Sequence, residues 1–241
     1  IESSLNRAVR SGKLSTEQQE AALSRITFTT DFDRLADRQL VVEAVTESEP
    51  AKLAVFETLD RIVTDRGAIL ASNTSSIPIM KLAMATARPE SVVGIHFFNP
   101  VPVLQLVEVV TSLLTSPETA AAAQAFAEDQ LGKHVVHSKD RAGFIVNALL
   151  IPYLLSAIRM MESGFATAED IDAGMVEGCA HPMGPLALTD LIGLDTTMAV
   201  ALSLYQEFKE PLYAPPPLLS RMVEAGLLGR KTGRGFYSYG R

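Results

Sequence analysis

The sequence is poor in cysteine and in long apolar runs, and both shortages exclude classes of protein. Cys179 is the only cysteine in the 241 residues, so the chain has no internal disulfide. This fits a reducing compartment, and we predict the cytoplasm. No uninterrupted apolar run approaches the ~20 residues that cross a bilayer, and no signal-peptide pattern opens the sequence. We therefore expect no membrane partner.

Basic residues are also scarce. There are 21 lysines and arginines against 28 acidic residues, which gives a formal net charge of −7. No basic stripe would offset repulsion from phosphates, so a nucleic-acid partner is not expected. A small anionic ligand held by a few local cations stays compatible with this charge. His134, His137 and His181 lack metal-like spacing to acidic residues or to Cys179, so we predict no metal site.

The apolar content, by contrast, is ample. Hydrophobic residues make up 47% and charged residues 20%, which suits one large domain or two modest ones. Strand and helix patterns alternate through the first part, which predicts an α/β fold with a doubly wound, mostly parallel sheet. The predicted strands are 26–29, 40–45, 68–72, 91–98, 103–110 and 133–138, with helices over 50–65, 76–85 and 117–131. The apolar run 40–45 is typical of a central strand that is buried on both faces.

After about residue 141 the pattern changes to helices, with no strand-like segment before 235–239. We therefore predict two domains, 1–141 and 142–241, the second all-α. Its first helix is apolar nearly all round, so it must lie in a core or a subunit interface.

His96 and Glu108 are the most informative pair. Each lies in a strand-like run, and Asn99, Pro100 and Pro102 interrupt the backbone ladder between the runs. If the chain folds back about Pro102, the two residues lie opposite each other, with Cβ atoms roughly 5 Å apart. The carboxylate would then orient the imidazole and stabilise its cation, as a general base requires. A purely structural His–Glu pair is the alternative.

Polar residues follow two other strands. Glu43 and Glu47 come at the end of run 40–45, and Lys52 lies one turn into the next helix. These three either contact a ligand or form a solvated loop. The segment ASNTSSI, residues 71–77, offers hydroxyls and amides to a ligand, or supplies Ser75 or Ser76 as a helix N-cap.

Two further features lie elsewhere in the chain. Asn147 lies in the apolar segment GFIVNALL, where an amide without partners costs about 1–3 kcal/mol. It either serves a site or is a satisfied structural amide. Arg7, Arg10 and Lys13 recur at helical spacing, and they either meet a phosphate or form a solvated face.

No G-x-G-x-x-G motif occurs in the sequence, which by itself counts against dinucleotide binding. The alternation from residue 26 nevertheless looks like the latter half of a dinucleotide-binding domain. The chain opens in the middle of a helical pattern, without a cap or an initiator Met. A β-α-β segment that precedes Ile1 in the natural protein would explain all of these facts.

Taken together, the segments resemble the L-3-hydroxyacyl-CoA dehydrogenase family, especially its bacterial 3-hydroxybutyryl-CoA members. The resemblance covers nearly the whole chain in order. It is carried by VVEAVTE, ASNTSSI, GIHFFNPVPV, LVEVV, LGKHVV, RAGFIVNALLIPYL, HPMGPLALTDLIGLDT and GRKTGRGFY. It implies a Rossmann-like sheet followed by a helical domain that forms a homodimer. The implied reaction is oxidation of an L-3-hydroxyacyl-CoA to the 3-ketoacyl-CoA with NAD as hydride acceptor.

The resemblance also implies roles for individual residues. His96 matches the catalytic base, Glu108 its orienting carboxylate, Ser75 a serine near substrate and nicotinamide, and Asn147 an asparagine that places the substrate. The positions that match cofactor contacts are Glu47, Lys52, Ser75, Asn99 and Lys231. Ser4 falls where the family contacts CoA, and we add Arg10 as a candidate for a CoA phosphate. The family's glycine-rich pyrophosphate segment has no match here, so a chain that truly began at Ile1 should bind NAD poorly.

Two other functions stay open at this point. The same fold serves polyol acids such as L-gulonate in the lambda-crystallin-like branch, which a substrate screen separates. A non-catalytic assembly module that works through the helical domain is the third hypothesis, and intact mass with NADH binding tests it.

Overall fold

The computed structural model, which describes residues 1–240, has a five-stranded sheet in its first part. The strand order along the sheet follows the sequence. All neighbouring strands are parallel except the third and fourth, which are antiparallel. The strands are β1 (Leu40–Glu43), β2 (Ile69–Ser72), β3 (Val92–Phe97), β4 (Leu106–Thr111) and β5 (His134–Lys139).

Helices cover both faces of the sheet, as the alternating pattern predicts. Neighbouring residues point to opposite faces, so Leu70 packs under one layer and Ala71 under the other. On the first face lie α3 (Glu49–Ile62) and α4 (Ile79–Ala83), and on the second lies α5 (Pro117–Ala125). The doubly wound arrangement is therefore confirmed.

The rest of the chain is helical. At the start, α1 (Glu2–Arg10) pairs with α2 (Thr16–Ser24), where Gln19 donates to Asn6 over 2.8 Å. After the sheet, a separate core forms between α6 and its neighbours, with Leu155, Ile158 and Leu204 buried in it. The helices of this part are α6 (Val146–Glu162), α7 (Ala168–Cys179), α8 (Pro185–Ile192), α9 (Leu194–Phe208) and α10 (Pro217–Glu224).

Several local predictions were wrong. Residues 26–29 form no strand and are exposed, because four apolar-rich residues do not specify a pairing partner. Within residues 1–240, β1 pairs with β2 alone, so its side chains are only partly covered and Val42 is 36% exposed. It is not the doubly buried central strand predicted from 40–45. The helix predicted over 117–131 changes to a π-helical turn at Phe126–Gln130, and 235–239 contributes an isolated bridge rather than a strand.

No single helix within residues 1–240 has the length and apolar composition of a membrane span. Only α8 and α9 taken together meet those two criteria, and they are bent by 97° at their junction.

A buried arginine closes the end of α3. The guanidinium of Arg88 donates to the carbonyls of Asp60 (2.9 Å), Val63 (2.7 Å) and Asp65 (2.6 Å), and to the Asp60 carboxylate (2.8 Å). Its side chain is 1% exposed. It therefore joins the end of α3 to the turn before β3.

Replacing this arginine should be costly. We expect Arg88→Met to lower the free energy of unfolding by about 3–5 kcal/mol, because it leaves the carbonyls beneath it without their donor and removes the buried partner of the Asp60 carboxylate. Urea denaturation measures the loss. Arg66→Ala is the matched control, since Arg66 contacts the same carboxylate over 3.0 Å with a side chain that is 65% exposed. It should cost under ~1 kcal/mol, and equal losses in the two variants would contradict the argument.

Candidate active site

The antiparallel pairing of β3 and β4 brings His96 opposite Glu108, as the reversal about Pro102 predicts. The imidazole Nδ1 lies 2.7 Å from Glu108 Oε2, and the two side chains are 4% and 0% exposed. The pair is thus almost completely shielded from water. The predicted register is confirmed.

Glu108 also reaches the start of the helical part. Its Oε1 accepts the backbone N–H groups of Ile145 (3.0 Å) and Val146 (2.9 Å), at the N-terminus of α6. A carboxylate is an acceptor only, so Nδ1 of His96 must be the donor in their bond. In neutral His96 the lone pair then lies on Nε2. The contact fixes one tautomer and leaves the other nitrogen basic.

Ser75 meets that basic nitrogen. Its Oγ lies 3.1 Å from Nε2 of His96. The interpretation of Ser75 or Ser76 as the N-cap of α4 was wrong, because the cap position is Pro78. The local turn is held instead by Thr74, whose Oγ1 accepts the Ile77 N–H over 2.8 Å.

Glu47 organises the turn that carries Ser75. Its Oε1 accepts from the Thr74 hydroxyl (2.6 Å), the Ser75 N–H (2.9 Å) and both the N–H and the hydroxyl of Ser76 (3.1 Å each). Burial alone would raise the pKa of this carboxyl, but these hydrogen bonds and the Lys52 ammonium lower it below the ordinary 4.5. The anion is therefore the form that orders the turn.

Lys52 and Glu43 form a buried pair beneath this turn. The ammonium lies 2.7 and 2.9 Å from the two Glu43 oxygens and 3.4 Å from Glu47. The Ser72 hydroxyl donates to the same Glu43 carboxylate over 2.6 Å. The interpretation of Glu43 and Lys52 as solvated charges was wrong, since Lys52 is 1% exposed. Its contact with a cofactor stays a prediction.

The anion of Glu47 gives a pH prediction. A lowered folded-state pKa contributes stability that is complete above the ordinary value of 4.5 and is lost as the pH falls through the folded value. We expect Glu47→Gln to lower the free energy of unfolding by roughly 1 kcal/mol at neutral pH, because hydrogen bonds to an amide oxygen are weaker than those to a carboxylate. The loss stays small because solvent screens the ion pair with Lys52. In urea melts the gap to wild type should close in acid.

Glu49→Gln is the control for that prediction, since Glu49 pairs with Lys81 at the surface. A gap between Glu47→Gln and wild type that stays constant from neutral to acidic pH would contradict the role of the anion.

The other predicted residues lie at different distances from this centre. Asn147 is half-buried and follows Val146, so it adjoins the His–Glu pair. Within residues 1–240 its side-chain amide makes no hydrogen bond, whereas a satisfied structural amide requires at least one. Asn99 is exposed just after β3. Both stay predictions as site residues.

Three predicted residues are not joined to the centre. Lys231 follows α10 and pairs with Asp195 at the start of α9 over 2.6 Å. Ser4 and Arg10 are exposed on α1. Within residues 1–240, no hydrogen bond or salt bridge links any of these three to the sheet, so their ligand contacts stay predictions.

Three residues with contacts near the site were missed by sequence reasoning. Asn73 links three strands, because its N–H donates to the Glu43 carbonyl (2.8 Å) and its Oδ1 accepts the Phe97 N–H (2.9 Å). Phe98 and Phe144 place their rings 4.6 and 5.5 Å from the imidazole of His96. The signal for Asn73 was its position directly after a buried strand, whereas Phe144 reaches the site through tertiary packing that no local pattern reveals.

Comparison with protein families gives matches over almost the entire chain. Residues 1–141 match the model of the 3-hydroxyacyl-CoA dehydrogenase NAD binding domain, and residues 143–239 match the C-terminal domain of the same enzymes.

Individual proteins agree with these matches. A 3-hydroxybutyryl-CoA dehydrogenase from Mycobacterium tuberculosis is 61% identical over 239 residues, which are 99% of this chain and 84% of that protein. The mitochondrial hydroxyacyl-coenzyme A dehydrogenase of Homo sapiens is 44% identical over 229 residues, 94% and 72% of the two chains. The crystal structure of M. tuberculosis FadB2 superposes with a TM-score of 0.97 at 60% identity, covering 99% of this chain and 84% of that one.

Proposed function

Since the chain belongs to the 3-hydroxyacyl-CoA dehydrogenase family, we propose that it oxidises 3-hydroxybutyryl-CoA with His96 and Glu108 as the catalytic pair. The observation that carries this proposal is the sealed contact of 2.7 Å between Nδ1 of His96 and Glu108. In a neutral imidazole this contact leaves the lone pair on Nε2, which lies 3.1 Å from the Ser75 hydroxyl. A base in that position is what removal of a hydroxyl proton requires.

The proton moves along a defined route. The 3-hydroxyl of the substrate gives its proton to Nε2 of His96 as the carbon–oxygen double bond forms at C3. His96 then carries a positive charge, and the Glu108 carboxylate beside Nδ1 stabilises it. The Ile145 and Val146 N–H groups hold that carboxylate in place, so it stabilises the charge of the imidazolium without any movement of the two side chains. In the reverse direction the imidazolium returns the proton to the ketone oxygen.

Ser75 and Asn147 are proposed to orient the substrate. The Ser75 hydroxyl lies 3.1 Å from Nε2, so it marks the position at which the substrate hydroxyl must arrive. Asn147, one residue beyond the Val146 N–H, has an amide suited to a carbonyl or hydroxyl of the acyl group. We expect both residues to affect kcat more than stability.

The cofactor of this family is NAD, and the chain's first 141 residues match the domain that binds it. When bound, NAD supplies the acceptor for the hydride that leaves C3. The groups at the ends of β1 to β3 are chemically suited to its nicotinamide riboside end, which offers hydroxyls and an amide for hydrogen bonds and whose oxidised ring is cationic. They are the partly exposed Glu47 carboxylate, the Ser75 hydroxyl and the exposed Asn99 amide. Lys52 is paired with Glu43 beneath them, so we propose that it acts on the cofactor through Glu47, and that Lys231 contacts the cofactor from the helical part.

The proposed substrate is inferred from the names of similar proteins. Several relatives are named for 3-hydroxybutyryl-CoA, which supports a short acyl chain and a place in fatty acid or butanoate metabolism. Ser4 and Arg10 are exposed on α1, where a CoA phosphate can form charge-assisted hydrogen bonds with the guanidinium from the solvent side.

A direct assay tests the activity. Full-length protein is mixed with NADH and acetoacetyl-CoA, and the loss of NADH absorbance is followed at neutral pH. We expect turnover with acetoacetyl-CoA and none with the keto form of L-gulonate. No turnover with any 3-ketoacyl-CoA would refute the proposal.

We also propose a homodimer that forms through the helical part. Leu149 of α6 and Phe165 are 72% and 80% exposed there, and a subunit interface over them would remove this apolar surface from water. Light scattering should report twice the chain mass, and Leu149→Asp should shift the protein toward the monomer. A wild-type mass of one chain would exclude the dimer. The free Cys179 suits a cytoplasmic location, which we include in the proposal.

A further inference from the structure

We propose that Phe144 is a positioning residue for His96, an inference that rests on the dehydrogenase function proposed above. Its ring lies edge-on to the imidazole, with centroids 5.5 Å apart and planes inclined by 62°. The side chain is 6% exposed and packs in the core of the sheet domain with Ile77, Ile79 and Val110. It therefore belongs to a rigid wall rather than to a mobile loop.

The backbone at Phe144 is held in an uncommon conformation. Its φ is +49°, in the left-handed region that bulky residues rarely adopt. Gly143 before it has φ +75°, and a Cβ there would come 2.9 Å from the Ala148 backbone nitrogen. Two consecutive left-handed residues turn the chain sharply between β5 and α6. Such conformations persist only where surrounding contacts impose them, and they concentrate at functional sites.

The turn at residues 143–144 brings contacts to both members of the His96–Glu108 pair, called the dyad below. The Phe144 ring meets His96, and the next two N–H groups, of Ile145 and Val146, bind Glu108 Oε1. An extended backbone at 143–144 would separate the ring from those N–H groups. The strained link thus fixes the imidazole and the carboxylate together.

The imidazole needs the packing contact of Phe144 because its hydrogen bonds lie in the plane of the ring and do not prevent the ring from tilting out of that plane. Glu108 holds Nδ1 and Ser75 meets Nε2, while Phe98 contacts the ring at 4.6 Å. Without Phe144 the ring gains room to tilt, which moves Nε2 away from the substrate hydroxyl. A misplacement of that kind lowers the rate of proton transfer while substrate binding is retained.

The test compares Phe144→Leu with Phe56→Leu in full-length protein. Phe56 is fully buried in the same core cluster, and it belongs to α3 rather than to the dyad. We expect Phe144→Leu to lower kcat by roughly ten- to hundred-fold with the KM for acetoacetyl-CoA within a factor of about two. Phe56→Leu should lower the melting temperature at least as much and leave kcat nearly unchanged. Phe144→Tyr, which keeps the ring, should restore most of the rate.

A second variant and an NMR measurement complete the test. Phe144→Met has an unbranched, flexible side chain that fills irregular gaps in a core, so it replaces the leucine variant if that variant does not fold. Proton NMR follows the Nδ1 proton of His96, assigned by its loss in His96→Gln, and needs no turnover. We expect that resonance to broaden in Phe144→Leu and to persist in Phe56→Leu. An unchanged resonance, or equal kcat losses in the two leucine variants, would overturn the positioning role even in an active enzyme. Absence of wild-type turnover would count against the proposed function instead.

Discussion

His96→Gln should fold and lose nearly all turnover. Glutamine is close to histidine in size and its amide can still donate to Glu108, so the buried contact of 2.7 Å between His96 and Glu108 has a substitute. It has no basic nitrogen near neutral pH, and loss of a positioned general base costs roughly 10²–10⁴-fold. We expect kcat/KM for acetoacetyl-CoA to fall within that range, measured by NADH absorbance, while the melting temperature moves by a few degrees.

His134→Gln is the control for this result. His134 begins β5 and is exposed, so its replacement removes a histidine from the same domain without touching the dyad. Its turnover should equal that of wild type. Near-normal turnover of His96→Gln would remove His96 from its proposed role and leave the His–Glu contact as a structural pair.

The dyad was accessible from sequence because local rules specify it. Prolines at 100 and 102 interrupt the two strands, and the alternation of side chains along paired strands then sets which residues oppose each other. Once a fold-back centred on Pro102 is assumed, these constraints place His96 opposite Glu108, and the structure confirms that register. The alternation of strand and helix likewise predicts the two-layered cover of the sheet.

Contacts between distant segments were not accessible in the same way. Whether the Lys52 ammonium is solvated or buried depends on its contacts with Glu43 and Glu47 in the folded chain. The order of charged residues in the sequence is the same whether the lysine is solvated or buried, so it does not distinguish the two. Residues 26–29 show the same limit, because a short apolar run becomes a strand only when a neighbour offers its backbone. The Ile145 N–H reaches Glu108 across 37 positions of sequence, a contact that only the packing of α6 against the sheet creates.

That long-range contact makes Glu108→Gln the second variant with a large expected effect. Glu108 accepts N–H groups at both oxygens, from His96 at one and from Ile145 and Val146 at the other. A glutamine amide has one acceptor and one donor end, so its N–H₂ group either faces the Ile145 and Val146 N–H groups or faces His96, which must then carry its proton on Nε2 instead of Nδ1. Since the site is fully buried, we expect the free energy of unfolding to fall by about 1–3 kcal/mol.

The effect of Glu108→Gln on turnover should be larger than its effect on stability, and it should act through His96. Without a carboxylate, Nδ1 loses its fixed donor role and the imidazolium loses its counter-charge. Loss of the carboxylate that orients a catalytic histidine costs up to ~10⁴-fold in kcat in the serine-protease triad. If Glu108 works only through His96, adding Glu108→Gln to His96→Gln should lower kcat/KM little further. Steady-state kinetics of the two single variants and the double variant measure the coupling, and additive losses would mean that Glu108 acts on the substrate independently of the imidazole.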